Sequence, residues 1–219
     1  MRPLLLTFAL ALLLPVALPA RAEPVPEPVP VQQTQLQEGD LLFVTAGSSG
    51  LSGAIDEATR RADAPSFDHV ALVARDASGL HLLHADSEGS REQPLSAFMA
   101  DAGGKGRQVH VYRLKPPQRR AIADAIAKAR TLLGKPYNHS YVQSEDSYYC
   151  SDFIERAFRA HQVFQTQPMN FRNKETGQFP AHWVAFYGSR GMPVPQGEPG
   201  TNPNDMAAAP VLEYVGLLR

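Results

Sequence analysis

The sequence predicts an α+β domain in which helices pack on a small antiparallel sheet. Three observations predict it. Short apolar runs with turn chemistry between them fill the first half of the 219-residue chain. Two segments with helical spacing follow at 116–134 and 151–161. An irregular tail rich in proline and glycine then ends in one last apolar run.

The elements follow in order. Gly39-Asp40 is a turn that feeds Leu41–Val44, a short buried strand. AGSSGLSG at 46–53 reads as a loop, and 54–61 as a short helix. FDHVALVAR (67–75) and LHLLHA (80–85) flank Asp76-Ala77-Ser78-Gly79, so they form a β-hairpin. QVHVYRL (108–114) alternates apolar and polar residues and is a third strand with one wet face. Pro116-Pro117 opens the clearest helix, Ile122, Ile126, Ala129 and Leu133 lie along it, and Gly134 and Pro136 close it. Phe153, Ile154, Ala157 and Phe158 form one stripe of a second helix, over 151–161. Residues 211–218 read as the last strand.

The N-terminus adds a different kind of segment. Arg2, the apolar run Leu4–Leu18 and the Ala20-Arg21-Ala22 pattern read as a secretory signal peptide over 1–22. The run is shorter than the roughly 20 residues of a spanning helix. The expected mature protein is exported, periplasmic or secreted. EPVPEPVPV follows, and 23–36 reads as a stiff proline-rich spacer outside the core. Residues 37–219 are then one domain, a length that supports a sizeable core. The net charge of −1 offers no basic excess for phosphates, which excludes a nucleic-acid partner.

Cys150 is the only cysteine, so no disulfide forms within the chain. It stands immediately before the predicted helix at Ser151. Backbone N–H groups and the positive end of the helix dipole favour a thiolate there, and the same groups can hold an oxyanion. The expected thiol pKa is below its ordinary value of about 8.5. The competing reading is a small packed side chain.

A nucleophilic thiol needs a base, and there are seven histidines. If Arg75 pairs with Leu80, paired residue numbers in the hairpin sum to 155. That register puts His69 and His84 on one face as diagonal neighbours, and a one-residue change separates them. Asp86 and Glu88 share the face, and parity alone does not choose the residue that orients His69. His81 and His84 point to opposite faces of a strand, which disfavours them as joint metal ligands. No metal and no cofactor is expected.

Five stretches, in order, carry a resemblance: GDLLFV (39–44), FDHVALV (67–73), LHA (83–85), GKPYNHSY…YYCSDFI (134–154) and GTNPNDMAAAP (200–210). The set resembles the YiiX/YebB-like cysteine hydrolases, circularly permuted papain-like members of the NlpC-type peptidase superfamily, in which the histidine precedes the cysteine. The resemblance implies a permuted papain-like fold and a catalytic set of Cys150 as nucleophile, His69 as base and a third polar residue at His84. Many relatives carry Glu at that third position, and others, including the lecithin:retinol acyltransferase-like branch, carry His. The residue after Cys-Ser is commonly Glu and is Asp152 here, where it would recognise a substrate group. Tyr137 and Tyr149 match aromatic positions near the cleft. The implied function is hydrolysis of an amide, in a cell-wall peptide or a related amide, through an acyl-cysteine. A lipid amidase or acyltransferase is the alternative within the superfamily. A catalytically silent ligand-binding module is the alternative outside enzymes.

Overall fold

The computed structural model describes residues 29–62 and 64–219. The signal-peptide segment lies outside them, and so do residues 23–28 of the proline-rich spacer. The elements are β1 (Pro30–Val31), β2 (Leu41–Thr45), α1 (Gly50–Thr59), β3 (Phe67–Asp76), β4 (Gly79–Asp86), β5 (Gly89–Pro94), α2 (Leu95–Gly104), β6 (Val109–Leu114), α3 (Ile122–Thr131), α4 (Cys150–Phe158), β7 (Gln167–Pro168), α5 (Ala181–Gly188), β8 (Pro199–Gly200), α6 (Pro203–Ala207) and β9 (Leu212–Leu218).

Seven strands form one sheet in the order β1-β9-β6-β2-β3-β4-β5, and β7 and β8 form a separate small ladder. The fold is α+β as expected, but the sheet is larger than a small antiparallel one, and its β1–β9 edge is parallel. That edge also revises the spacer: Val31 and Leu36 are buried, so its described end belongs to the fold. β1 reaches β9 because Gly216, at φ 152°, has no side chain. A Cβ there would lie 2.1 Å from the Val29 carbonyl oxygen.

The run Leu41-Leu42-Phe43-Val44 is apolar throughout because both faces of the sheet are covered. Leu41 and Phe43 join a core with Val70, Leu72 and the α3–α4 residues Ile126, Phe153 and Phe158. Leu42 and Val44 join a second core with Ala71, Val73, Leu82 and Phe98 of α2. Tyr141, Tyr149, Phe171, Trp183 and Tyr187 make a third, aromatic cluster. Asp40, buried in the turn before β2, is held by two hydrogen bonds from Arg113, at 2.7 and 2.8 Å.

The β3–β4 hairpin has the expected register, with Arg75 opposite Leu80 and Leu72 opposite Leu83. The strands extend one pair further, to Asp76 opposite Gly79, so the loop shortens to Ala77-Ser78. Other boundaries move as well. α1 begins at Gly50, inside the expected loop. The helix over 116–134 is a 3-10 turn, Pro116–Ala121, followed by α3. β5, α2, α5 and α6 arise where no element was expected.

Candidate active site

Cys150 is the first residue of α4, not the residue before it. The helix points its start at β3. The paired residues of β3 and β4 end at Leu72 opposite Leu83, and nearer Phe67 β3 pairs with β2 alone. At that unpaired end the Cys150 thiol donates to the Asp68 carbonyl oxygen at 3.7 Å. The N–H groups of Ser151, Val70 and Cys150 also face the sulfur. The thiol thus sits on the backbone on either side of His69.

The expected low thiol pKa is overturned. Burial pushes Cys150 up to about 11, although those N–H groups and the Arg107 charge pull the other way. Cys150 is a buried residue, at 4% exposure, and as a thiolate it loses more solvation than the helix start returns. His69 is lowered to about 3, first by burial and then by the neighbouring His84. Both shifts favour a neutral thiol and a neutral imidazole over an ion pair.

His69 and His84 do meet. His69 Nε2 lies 3.0 Å from His84 Nδ1, with the rings edge to face and Phe98 packed against both. Asp86 is committed elsewhere, since Arg91 donates to both of its oxygens at 2.6–3.1 Å. Among His84, Asp86 and Glu88, His84 is the one bonded to His69. Among the described residues no hydrogen bond joins Cys150 to His69.

Two hollows flank this centre. One, of about 50 Å³, is lined by Cys150, Tyr137, Tyr141, Tyr149 and Trp183. The other, of about 320 Å³, is lined by His69, His84, Asp86, Lys105, Arg107 and His139. Ile55, Asp68 and Tyr137 line both and form the ridge between them. Tyr137 is held there by its loop: Ser90 accepts from Gly134 N at 2.7 Å and donates to Lys135 O at 2.8 Å through its backbone.

The remaining expected residues divide. Tyr149 lines the small hollow, and its hydroxyl accepts from Thr201 N at 3.1 Å. Asp152 does not reach the cleft. It has no exposed surface, and its carboxylate accepts from Gln143 and Arg156, each at 2.9 Å. Burial still pushes it up to about 6, against the pull of Arg156.

The structure adds residues the sequence reading missed. Tyr141 occupies the left-handed region at φ 57°, a costly conformation for a bulky side chain. Its hydroxyl is buried in the small hollow without a hydrogen-bond partner. The signal available was Asn138-His139-Ser140, an Asx turn in which Asn138 Oδ1 accepts from Ser140 N at 3.0 Å. Asp68 pairs with Arg107 and accepts from Ser52, which braces the strand beside His69.

Asp76, His81 and Glu92 bring three ligand-type atoms within 4.8 Å of one another. They cluster where the β3–β4 turn meets β5, and none lines either hollow. His81 is engaged there by Ser78 Oγ at 2.7 Å and Asp76 at 3.3 Å.

Residues 35–216 match the family model described as permuted papain-like amidase enzyme, YaeF/YiiX. No curated protein matches the chain. Among solved structures, the crystal structure of metalloprotein yiiX from Escherichia coli O157:H7 is similar, with a TM-score of 0.63 and 24% identity. The match covers 82% of this chain and 96% of that one.

Proposed function

Because the chain belongs to the permuted papain-like amidase family YaeF/YiiX, and so to the cysteine amidases and hydrolases in general, we propose that it cleaves an amide through an acyl-cysteine on Cys150. The observation that carries this reading is the placement of the Cys150 thiol on the β3 backbone around His69, whose ring is held by His84 at 3.0 Å.

The thiol starts neutral on the Asp68 carbonyl. It rotates off that carbonyl toward the substrate. His69 takes its proton as sulfur attacks the carbonyl carbon, which avoids a free buried thiolate. His69 then protonates the leaving amine. A water, deprotonated by His69, attacks the acyl carbon; the C–S bond breaks, the carboxylic acid departs and His69 returns the proton to the Cys150 sulfur. The Cys150 N–H stabilises the oxyanion, and the unpartnered Tyr141 hydroxyl supplies a second donor.

The hollows favour a peptide over a long lipid chain. One water needs about 10–15 Å³ of such a cavity, so about 50 Å³ beside Cys150 admits a small acyl-side group. The larger cleft, with Asp86, Asp101, Lys105 and Arg107, suits a polar, charged leaving group. We take a cell-wall peptide as the substrate class and an exported location from the leader pattern. Sequencing the N-terminus of protein recovered outside the cytoplasmic membrane checks the location. The expected first residue is Glu23, and an intact Met1 speaks against export.

The function is tested by incubating wild type and Cys150→Ala with wall-peptide fragments and with N-acyl amides. The expected result is a mass adduct on Cys150 from the peptides only, and no product from Cys150→Ala. An adduct from the acyl amides alone assigns the lipid reading. Binding of peptide with turnover unchanged in Cys150→Ala rejects the thiol mechanism.

A further inference from the structure

Gln93 has no role in the reaction described above. It is buried on β5 at 5% exposure, and its Nε2 donates to Asp101 Oδ2 of α2 at 2.7 Å. An ionised carboxylate only accepts hydrogen bonds. The nitrogen end of the Gln93 amide therefore faces Asp101, and its oxygen is turned the other way. The His84 ring lies beside the Gln93 side chain, because Gln93 pairs with Leu82, two residues before His84 on the same face of β4. His84 Nε2 and Gln93 Oε1 are both buried, and neither has a hydrogen-bond partner among the described residues.

Two neutral imidazoles 3.0 Å apart can share a proton in two ways. In the first, His69 Nε2–H donates to His84 Nδ1. His84 then carries its proton on Nε2 and needs an acceptor there. Gln93 Oε1 is such an acceptor, and His69 keeps a bare Nδ1. In the second, His84 Nδ1–H donates to His69 Nε2. His84 Nε2 is then a bare lone pair facing the Gln93 oxygen, and His69 Nδ1 is already protonated and unable to act as a base. Burial makes such a lone-pair clash costly.

We propose that Asp101, Gln93 and His84 form a relay of fixed polarity that selects the His69 tautomer with a free Nδ1. The carboxylate orients the amide, the amide orients His84, and His84 orients the base. Gln93 and Asp101 are positioning residues, since neither touches the reacting atoms. The relay rests on the reading of His69 as the base, but the tautomer it predicts can be measured without turnover.

The test is nitrogen NMR of histidine-labelled protein at neutral pH, with the rate of Cys150 alkylation by iodoacetamide as a second readout. In wild type, His69 and His84 should both carry the proton on Nε2. Gln93→Leu should give mixed tautomers at both rings and slow alkylation at least about tenfold; a wrong tautomer in a serine protease triad costs about 10⁴-fold. Gln93→Glu keeps an acceptor toward His84 and should keep the wild-type tautomers. If Gln93→Leu does not fold, Asp101→Asn, at an exposed position, should mix the tautomers by freeing the amide to flip. An Nδ1–H His84 in wild type, or tautomers indifferent to Gln93→Leu and Asp101→Asn, overturns the relay. Tautomers that respond while hydrolysis survives His69→Ala leave the relay standing and reject the base assignment instead.

Discussion

The residues around Cys150 show why position in a helix does not fix reactivity. A thiol at the start of α4 has the helix dipole and three N–H groups in its favour, yet burial outweighs them. Iodoacetamide alkylation of native Cys150 should therefore stay slow through neutral pH and rise only as the pH approaches about 11, while in His69→Ala the neutral-pH rate should fall by roughly 100-fold, the usual contribution of a positioned base. A rate that instead rises near pH 5 would mark an ion pair. Arg156 poses the opposite case. It neutralises Asp152 inside the protein and also binds Glu145 at 2.6 Å. Arg156→Leu strands a buried carboxylate, so it should cost about 3–5 kcal/mol in denaturant unfolding. Asp152→Asn, which removes the charge as well, should cost less. If the two variants lose the same stability, the ion pair is not what Arg156 supplies.

At the scale of elements, the sequence was legible where period and turn chemistry agreed. Asp76-Ala77-Ser78-Gly79 and the flanking runs determined the β3–β4 register, and that register brought His69 to His84. α4 was legible from its apolar stripe. β5 and α2 were not: GSREQP has no alternating apolar face, and α2 ends in Gly103-Gly104. They form because α2 packs Leu95 and Phe98 onto Leu82 and Val73, a contact distant in sequence. α5 was hidden for a different reason. AHWVAFYG is apolar all round, so it has no stripe to read, and it is positioned by the aromatic cluster. The site was legible to the same depth. Strand parity put His84, Asp86 and Glu88 on the face of His69 and the resemblance chose His84, but only the fold shows Gln93 behind it and Asp152 turned inward. β1 carries a prediction of its own. Val31→Asp places a charge among Leu36, Leu42 and Leu218 and should lower the unfolding free energy by several kcal/mol. A loss under about 0.5 kcal/mol, typical of surface changes, would mean that β1 is not part of the folded core.

The whole molecule responds to pH through groups of opposite sign. His69 and His84 are lowered by burial to about 3 and about 4, from 6.5 in the unfolded chain. Between pH 6.5 and 4 the unfolded chain binds protons that the native rings refuse, so acidification lowers stability. Asp152 is raised by burial to about 6, from 3.8. In the same window the native carboxyl binds a proton sooner than the unfolded one, so acidification there adds stability. Each proton contributes about 1.4 kcal/mol per pH unit at full slope. Two histidines against one carboxyl predict a net fall in melting temperature from pH 7 to 4.5. Asp152→Asn should steepen that fall, and His69→Gln should flatten it. Melts of the three proteins with parallel pH slopes would show that these groups do not set it.

The two residues of β1 have a consequence beyond their own packing. β9 borders the sheet, and an open strand backbone is a template on which a second chain could add a strand; β1 covers its last two residues, Leu217 and Leu218. Pro30 stands where such a guest would look for an N–H donor, and it has none. The proline-rich stretch that reads as a mere spacer thus seals the Leu217-Leu218 end of that border against self-recruitment. A chain trimmed past Val31 would keep its reactive centre and lose its seal, and the sign of that loss would be sedimentation that grows with protein concentration.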